Sequence, residues 1–347
     1  MNPYDFVRID PTTHVDRQQP RDHDRFSGVT GRIEGTITTL TPLFIPSRKT
    51  MSPKRFQTNG QGQYIIPGSS LKGLIRSLVE TLGPGCWWLI RNEAKRSLPR
   101  EYQPCLGGDR LCVACRMFGL ISGNTHLEGH VRFGDAVCAQ PESYQPIYTP
   151  ILDGPKLRHN VWYFNGPNGS PTGRKYYFHS ETIRTAQNIR KSSKGVELNQ
   201  YIAPIGPNSV FTFTAHFDSL DGPELQLLYY ALTLEPTMRH KIGYAKPAGL
   251  GSIEIAFTRI ETLDMQQRYL SPAQARQVYE GDRVPTYIAD QTAQFVADRT
   301  SVTLTDLRRI WQWPPPANVE YGYPTRDWFD ENPEAPISAT RNAPIQR

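Results

Sequence analysis

Residues 64–82 read YIIPGSSLKGLIRSLVETL, and this stretch decides the predicted fold because a strand end, a turn and a helix follow one another without a gap. Its later apolar residues recur at the spacing of one helical face; they are Leu71, Leu74, Ile75, Leu78, Val79 and Leu82. The pattern predicts a helix capped by Ser69 or Ser70. A helix start with free backbone N–H groups, followed by Lys72, suits an anionic ligand such as phosphate.

Alternation of polar and apolar residues predicts strands on both sides of this helix. Residues 29–39, 129–137, 210–217 and 252–260 each show it, and Pro223 opens a second helical pattern. Two strand-helix-strand halves predict an α+β fold. The specific expectation is a ferredoxin-like (RRM-like) βαββαβ core, in which an antiparallel sheet packs on two helices.

The predicted organisation has three parts. Residues 1–27 are a polar tail expected to order only on a partner, residues 28–263 are the core, and residues 264–347 are a Pro-rich extension. Two insertions interrupt the core. Residues 86–128 contain cysteines, and residues 139–207 are rich in Pro, Gly, basic and aromatic residues. The extension is expected to serve docking and not to form a second enzyme domain.

Composition permits a nucleic-acid partner. The 39 Lys and Arg residues exceed the 33 Asp and Glu residues, giving a net charge of +6 and a pI of about 9.0. No run approaches the apolar length of a transmembrane helix, and no signal-peptide pattern is present, so we expect a cytoplasmic protein without a membrane partner. Five cysteines in such a chain argue against a disulfide framework and leave metal binding or free thiols.

A C-x6-C-x2-C pattern predicts a structural zinc site, because thiolates are soft ligands that suit tetrahedral zinc. Its three thiols are those of Cys105, Cys112 and Cys115. The fourth ligand stays open at this point. Cys86 is the first choice, and His126 and His130 are alternatives that would complete a site of three cysteines and one histidine.

Four segments in this order resemble the RAMP superfamily of CRISPR-associated proteins. They are GRIEGTITTLTPLFI at 31–45, PGSSLKG at 67–73, CVACRMFGL at 112–120 and the basic Gly-rich loop RHKIGYAKPAGLGSI at 239–253. Within the superfamily, the order resembles the crRNA-binding backbone subunits of type III effector complexes. The resemblance covers roughly residues 28–260.

This resemblance implies a guide RNA (crRNA)-binding backbone subunit that holds the guide for pairing with target RNA in antiviral defence. Its partners would be crRNA, target RNA and other CRISPR effector subunits in a filament-like ribonucleoprotein complex. It further implies that the cysteine insertion is a zinc knuckle. The 139–207 insertion would include a thumb hairpin that presses between guide bases and kinks the RNA, although the sequence does not locate its tip.

Basic groups beside aromatic rings are the combination that single-stranded RNA binding uses. The RNA-binding candidates are Arg48, Lys49, Lys54 and Arg55 before the helix, Ser69, Ser70, Lys72 and Arg76 within it, Arg174, Lys175 and Tyr176 in the long insertion, and Lys246, Gly249 and Gly251 in the late loop.

Loop 46–63 contains no Asp, Glu or His. In the resembled subunits that cut target RNA, this loop carries an aspartate, so its absence favours a non-catalytic subunit. Two enzymatic alternatives stay open. One is a target-RNA endoribonuclease with a relocated carboxylate, either Asp135 or Asp153, which would use Mg²⁺. The other is a metal-independent, guide-processing endoribonuclease that uses His240, with His216 across the sheet.

Overall fold

The structure is a computed structural model that describes residues 1–10, 13–24, 27–48, 51–87, 98–152, 160–164, 169–297, 299 and 301–346. The strands are β1 Tyr4–Arg8, β2 Arg17–Gln18, β3 Val29–Thr39, β4 Tyr64–Ile66, β5 Leu111–Cys112, β6 Gly119–Ser122, β7 Thr125–Glu128, β8 Val131–Phe133, β9 Ala136–Cys138, β10 Ile147–Tyr148, β11 Gly173–Tyr177, β12 Tyr201–Ile202, β13 Val210–Leu220, β14 His240–Lys241, β15 Ser252–Asp264 and β16 Arg276–Glu280.

The α-helices are α1 Gly68–Leu82, α2 Val113–Phe118, α3 Asn160–Tyr163, α4 Gly222–Thr233, α5 Met265–Leu270, α6 Pro272–Ala275, α7 Arg283–Ala297, α8 Val302–Ile310 and α9 Arg326–Glu331. Short 3-10 turns lie at Arg100–Tyr102, Lys246–Ala248 and Ile337–Asn342. Over the described ranges, no helix combines the length and the apolar character needed to cross a membrane.

An antiparallel sheet forms the centre of the molecule. Its strand order is β14-β15-β3-β13-β9-β4, with β16 paired to β15 and β8 paired to β13. Along the chain, β3 comes first, β8 and β9 second, β13 third and β15 fourth, so the order in space is fourth, first, third, second. The predicted α+β class is confirmed.

One face of this sheet carries the core. Ile33 and Ile37 of β3 are fully buried, as are Phe211 and Phe217 of β13. The ring of Phe217 meets the edge of Tyr229 on α4, with centroids 6.4 Å apart. Helix α1 packs against α4 and β8. The period-two alternation of the strands therefore buries their apolar side chains under the two helices.

The start of α1 differs from the predicted serine cap. Neither Ser69 nor Ser70 caps the helix; instead a carboxylate oxygen of Asp135 accepts the backbone N–H of Gly68 at 2.8 Å. A Cβ on Gly68 would lie 2.3 Å from the carbonyl oxygen of Phe133, so only glycine permits this close approach. The prediction failed because the capping carboxylate comes from a residue distant in sequence.

The predicted tail at residues 1–27 contains an ordered strand, which corrects the prediction for residues 4–8. Residues 4–8 form β1, which pairs antiparallel with β11, and Tyr4 and Phe6 are buried. Arg8 donates two hydrogen bonds to the carboxylate of Asp306 on α8, at 2.8 and 3.0 Å. Residues 1–27 are polar overall, and for that reason the short alternating segment within them was not predicted to be a strand.

The C-terminal segment covers the core directly. Helix α7 packs against α4, and α8 packs against β1. Trp311, which follows α8, is buried, and its ring meets Tyr176 at 5.2 Å and His240 at 5.6 Å between centroids. The expected docking extension is thus, over residues 302–311, part of the packed body.

We predict that Asp135→Ala lowers the free energy of unfolding by about 1 kcal/mol, because α1 loses its only side-chain acceptor at Gly68 among the described residues. Asp135→Asn retains a carbonyl oxygen and is expected to lose less than half as much. Urea unfolding followed by circular dichroism would measure both. Equal losses in the two variants would contradict the capping role.

Candidate nucleic-acid interface and metal centre

A cleft of about 530 Å³ opens beside α1. One wall is formed by Ser70, Leu74 and Ser77, which recur at helical spacing. The other walls come from the segment at Pro46, from β11 and from the loop after β14. The cations that line it are Lys175, Lys241 and Lys246. We call this feature the lysine cleft and define it by these three side chains.

The lysine cleft concentrates positive charge with no carboxylate among the described residues that line it. Burial, and then the charge of Lys246, lower the pKa of Lys175 to about 8 and that of Lys241 to about 7. Burial also lowers the pKa of Lys246. Three crowded ammonium groups favour an anion in the cleft, because an anion would offset both their desolvation and their mutual repulsion.

Local contacts position these lysines. The Nζ of Lys175 lies 3.7 Å from the ring centroid of Tyr4 and 5.0 Å from that of Tyr177. The Nζ of Lys246 donates to the carbonyl oxygen of Gly243 at 2.9 Å. Gly243 has a φ of +87°, which turns the loop tightly enough for this contact.

Four of the candidates chosen from sequence line the cleft: Ser70, Lys175, Tyr176 and Lys246. Sequence reasoning missed Lys241, although it lies in the quoted basic loop. No sequence signal marked it, because both residues of the two-residue strand β14 are buried and the enclosure of Lys241 depends on distant contacts.

Lys72 and Arg76 lie on another flank of α1. Lys72 is half-buried near Arg76, Glu128 and Arg132, and burial followed by the charge of Arg76 lowers its pKa. Arg76 is engaged with protein partners, since it pairs with Glu80 at 2.9 Å and donates to the carbonyl oxygen of Gly119 at 3.0 Å. The structure therefore does not bring these two cations into the lysine cleft.

Arg174 also faces protein groups. Its guanidinium pairs with Glu80 at 3.1 Å and donates to the carbonyl oxygen of Cys86 at 2.9 Å. It lies over the Trp87 ring at 4.8 Å from the centroid. These contacts connect β11 to the end of α1.

Tyr176 is buried, which corrects the stacking role expected from sequence, and Gly249 and Gly251 are buried as well. Tyr176 is 6% exposed and its hydroxyl lies 2.7 Å from the Oγ1 of Thr81, so its ring is not available to stack on a base. Gly249 and Gly251 approach backbone of their own chain closely. A Cβ on Gly251 would lie 1.9 Å from the carbonyl oxygen of Ile242.

Loop 46–63 is largely a surface segment. Arg48, Lys54 and Arg55 are exposed, and the backbone N–H of Lys54 donates to the carbonyl oxygen of Tyr201 at 2.9 Å. Lys49 lies outside the described residues.

The catalytic candidates do not converge on one site. Asp135 caps α1, and Asp153 lies outside the described residues. His240 is buried; its Nε2 donates to the carbonyl oxygen of Ala231 at 2.8 Å, and burial lowers its pKa to about 4. A neutral ring enclosed in this way cannot reach an external RNA, which corrects its candidacy. His216 is exposed on β13, in register with Arg32.

Four buried cysteines form a compact cluster: Cys86, Cys105, Cys112 and Cys115. Their sulfurs all lie within 4.8 Å of one another, and the sulfurs of Cys86 and Cys115 are 3.7 Å apart. Tetrahedral ligands at a Zn–S distance of about 2.3 Å are separated by about 3.8 Å. The cluster could therefore bind a metal ion such as zinc.

Donors around the cluster suit thiolate ligands. Arg17 donates to the sulfur of Cys105 at 2.7 Å, and Arg76 donates to that of Cys115 at 3.5 Å. The backbone N–H of Cys86 donates to the sulfur of Cys112 at 3.4 Å. Four thiolates on a divalent ion carry a net charge of −2, which two guanidinium groups offset.

The alternative ligands lie outside the cluster. His126 is exposed on β7, whereas His130 is buried and stacks on His23 with centroids 4.3 Å apart. Cys138 is buried on β9 and is likewise separate from the four clustered thiols.

A family model described as the RAMP superfamily matches residues 36–254. No curated protein matches the sequence. Among solved structures, a chain of the cryo-EM structure of the Type III-B Cmr-beta bound to cognate target RNA is similar, with 16% sequence identity and a TM-score of 0.34. The match covers 68% of this chain and 61% of that chain, so this chain spans less than two thirds of the solved one.

We predict that replacing Cys112 and Cys115 by serine abolishes metal binding and lowers the free energy of unfolding by several kcal/mol, since the free energy of metal binding contributes directly to folding. Cys138→Ser is the matched control, because it alters a buried thiol outside the cluster. Elemental analysis and urea unfolding would measure the two effects. Metal content equal to that of the unaltered protein would rule out the centre.

Proposed function

The chain belongs to the RAMP superfamily, whose family model matches residues 36–254, and from that premise we propose that it is a guide RNA-binding backbone subunit of a type III CRISPR effector complex. In this proposal the subunit holds crRNA for pairing with target RNA and does not itself cut RNA. Its neighbours are other effector subunits in a filament-like assembly.

The lysine cleft is the observation that carries the proposal. A polyanion requires cations without competing carboxylates, and Lys175, Lys241 and Lys246 provide them in a concave site. Contacts of this kind hold phosphate and sugar and read no base sequence. A guide whose sequence varies needs this type of support.

The strand order supports a ferredoxin-like assignment of the core. A βαββαβ chain places its fourth strand beside the first and its third between the first and second, which is the order of β15, β3, β13 and β8–β9. Helices α1 and α4 occupy the two helical positions of this arrangement.

We further propose that residues 190–198 are the thumb hairpin. The backbone N–H of Ser192 donates to the carbonyl oxygen of Val196 at 2.8 Å, and Gly195 turns the chain with a φ of +75°. Val196 is 62% exposed and Leu198 is 42% exposed. Apolar side chains on a projecting hairpin are suited to contact with the faces of bases.

The metal is proposed to be zinc, bound in a structural four-cysteine knuckle. The four clustered thiols supply all four tetrahedral positions, leaving none open for a catalytic water. Such a centre would tie Cys86, after α1, to Cys112 and Cys115 at the start of α2.

Three observations support a subunit that does not cut RNA. Loop 46–63 has no Asp, Glu or His in its sequence. The carboxylate of Asp135 is engaged at the start of α1, and His240 is buried with a lowered pKa. A solvent-facing carboxylate or histidine beside the lysine cleft would favour either nuclease alternative.

We expect Lys175→Met combined with Lys246→Met to weaken binding of single-stranded RNA by roughly tenfold or more, since charge-assisted contacts to phosphate are lost. Affinity should also fall with added salt. A plot of the logarithm of the binding constant against the logarithm of the salt concentration should be less steep for the variant than for the unaltered protein. Fluorescence anisotropy on the complex assembled with co-encoded partners would measure this. Arg268→Gln removes an exposed charge outside the cleft and is the control. Equal affinity in all three proteins would refute the cleft as the RNA site.

Cleavage is tested with the same complex and guide-complementary RNA, in Mg²⁺ or in chelator. Asp135→Asn is the chosen variant because it preserves an acceptor for Gly68. We expect any target cuts to persist in the variant. The loss of one specific cut in the variant and in chelator, with assembly intact, would establish a nuclease with a relocated carboxylate.

A further inference from the structure

Lys241 is the most enclosed cation of the lysine cleft. Its residue is 4% exposed, yet its side chain lines the cleft. The ammonium donates to the Oγ of Ser252 at 3.2 Å and to the carbonyl oxygen of Gly249 at 3.4 Å. A lysine ammonium has three N–H donors, so these two acceptors leave one for an oxygen atom in the cleft.

A chain of hydrogen bonds behind Lys241 has a defined direction. The Nε2 of His179 lies 2.9 Å from the carbonyl oxygen of Arg239, which can only accept, so Nε2 is the donor. Burial lowers the pKa of His179 well below its ordinary value, and the neutral ring must therefore accept at Nδ1. Ser252 donates its hydroxyl proton to that Nδ1 at 2.8 Å. Its oxygen lone pairs are consequently turned toward Lys241.

We propose that Lys241 is a phosphate anchor at the floor of the lysine cleft, and that Ser252 and His179 are positioning residues that hold its ammonium toward the bound phosphate. The inference rests on the proposed function, because it names the cleft contact through which a nucleic-acid phosphate would be held. Lys241 differs in this respect from exposed cations such as Lys54, which can act only as solvated charges.

The surrounding charges favour an anionic ligand over an internal ion pair. Lys246 and Lys175 face the same cleft, and His179 and His240 lie buried behind it. Arg239 is already paired with Glu254 at 2.7 Å. No carboxylate is among the described residues that line the cleft, so a ligand phosphate is the group that can offset this charge.

The protonation of Lys241 predicts the direction in which ligand affinity changes with pH. In the free protein the pKa of Lys241 is lowered to about 7, so its ammonium is partly deprotonated above that pH. A phosphate beside Nζ stabilises the charged form and raises the pKa. Binding should therefore take up protons near pH 8, and affinity should fall as the pH rises through about 7 to 8.

The test uses inorganic pyrophosphate on the full chain and single-stranded RNA on the assembled complex. Calorimetry in two buffers of different ionisation enthalpy gives pyrophosphate affinity and proton uptake. Lys241→Met, which removes the ammonium but keeps an unbranched side chain in an enclosed site, should weaken pyrophosphate binding about tenfold or more and reduce proton uptake. Ser252→Ala retains the ammonium but removes an acceptor of its charged form, so the pH midpoint of the affinity should move lower.

Ser209→Ala is the control for the loss of a buried serine hydroxyl, because Ser209 donates to the carbonyl oxygen of Gly206 and does not line the cleft. It should leave the midpoint unchanged. Pyrophosphate binding by Lys241→Met equal to that of the unaltered protein, or no pyrophosphate binding by the unaltered protein, overturns the anchor. A Lys241-dependent pyrophosphate site in a complex that does not bind RNA supports the anchor and refutes the proposed function.

Discussion

The docking of α1 onto the strand pair β8–β9 is the contact on which both candidate sites depend. Gly68 approaches the carbonyl oxygen of Phe133 more closely than any side chain would permit, and the carboxylate of Asp135 accepts its N–H. With its start held in place, the helix presents Ser70 and Ser77 to the lysine cleft. Other residues of the same helix turn toward the cysteine cluster, where Arg76 reaches Cys115.

Charge is distributed differently at the two sites. At the cysteine cluster, guanidinium groups donate to sulfurs, so cation and anion are matched within the chain. In the lysine cleft the cations have only neutral protein acceptors among the described residues, such as Ser252 and the carbonyl oxygens of Gly243 and Gly249. Buried cations without a counter-charge destabilise a fold, and this arrangement is characteristic of a site whose counter-charge arrives with a ligand.

Periodicity in the sequence predicted the structural features that depend on residues close together along the chain. The main strands and both core helices follow from patterns such as the alternation in β13, and the C-x6-C-x2-C spacing indicated three clustered thiols. Contacts between distant residues could not be read in this way. The cap of α1 comes from Asp135, and the burial of Tyr176 depends on Trp311. Lys241 could not be distinguished from other cations of its loop, because its enclosure requires Gly249 and Ser252 to fold around it.

The packing of β1 on α8 joins two segments that lie far apart in the sequence. Arg8 contacts Asp306 across a sequence separation of 298 residues, and Thr303 donates its hydroxyl to the carbonyl oxygen of Arg8 at 3.0 Å. During synthesis, β1 leaves the ribosome long before the helix that covers it. Val7 of β1, which lies in the same core cluster as Leu304 and Leu307 of α8, stays uncovered on that side until the helix has been made. A nascent chain stalled before residue 302 would therefore lack the helix that covers this face of β1, and would present part of an apolar strand to chaperones.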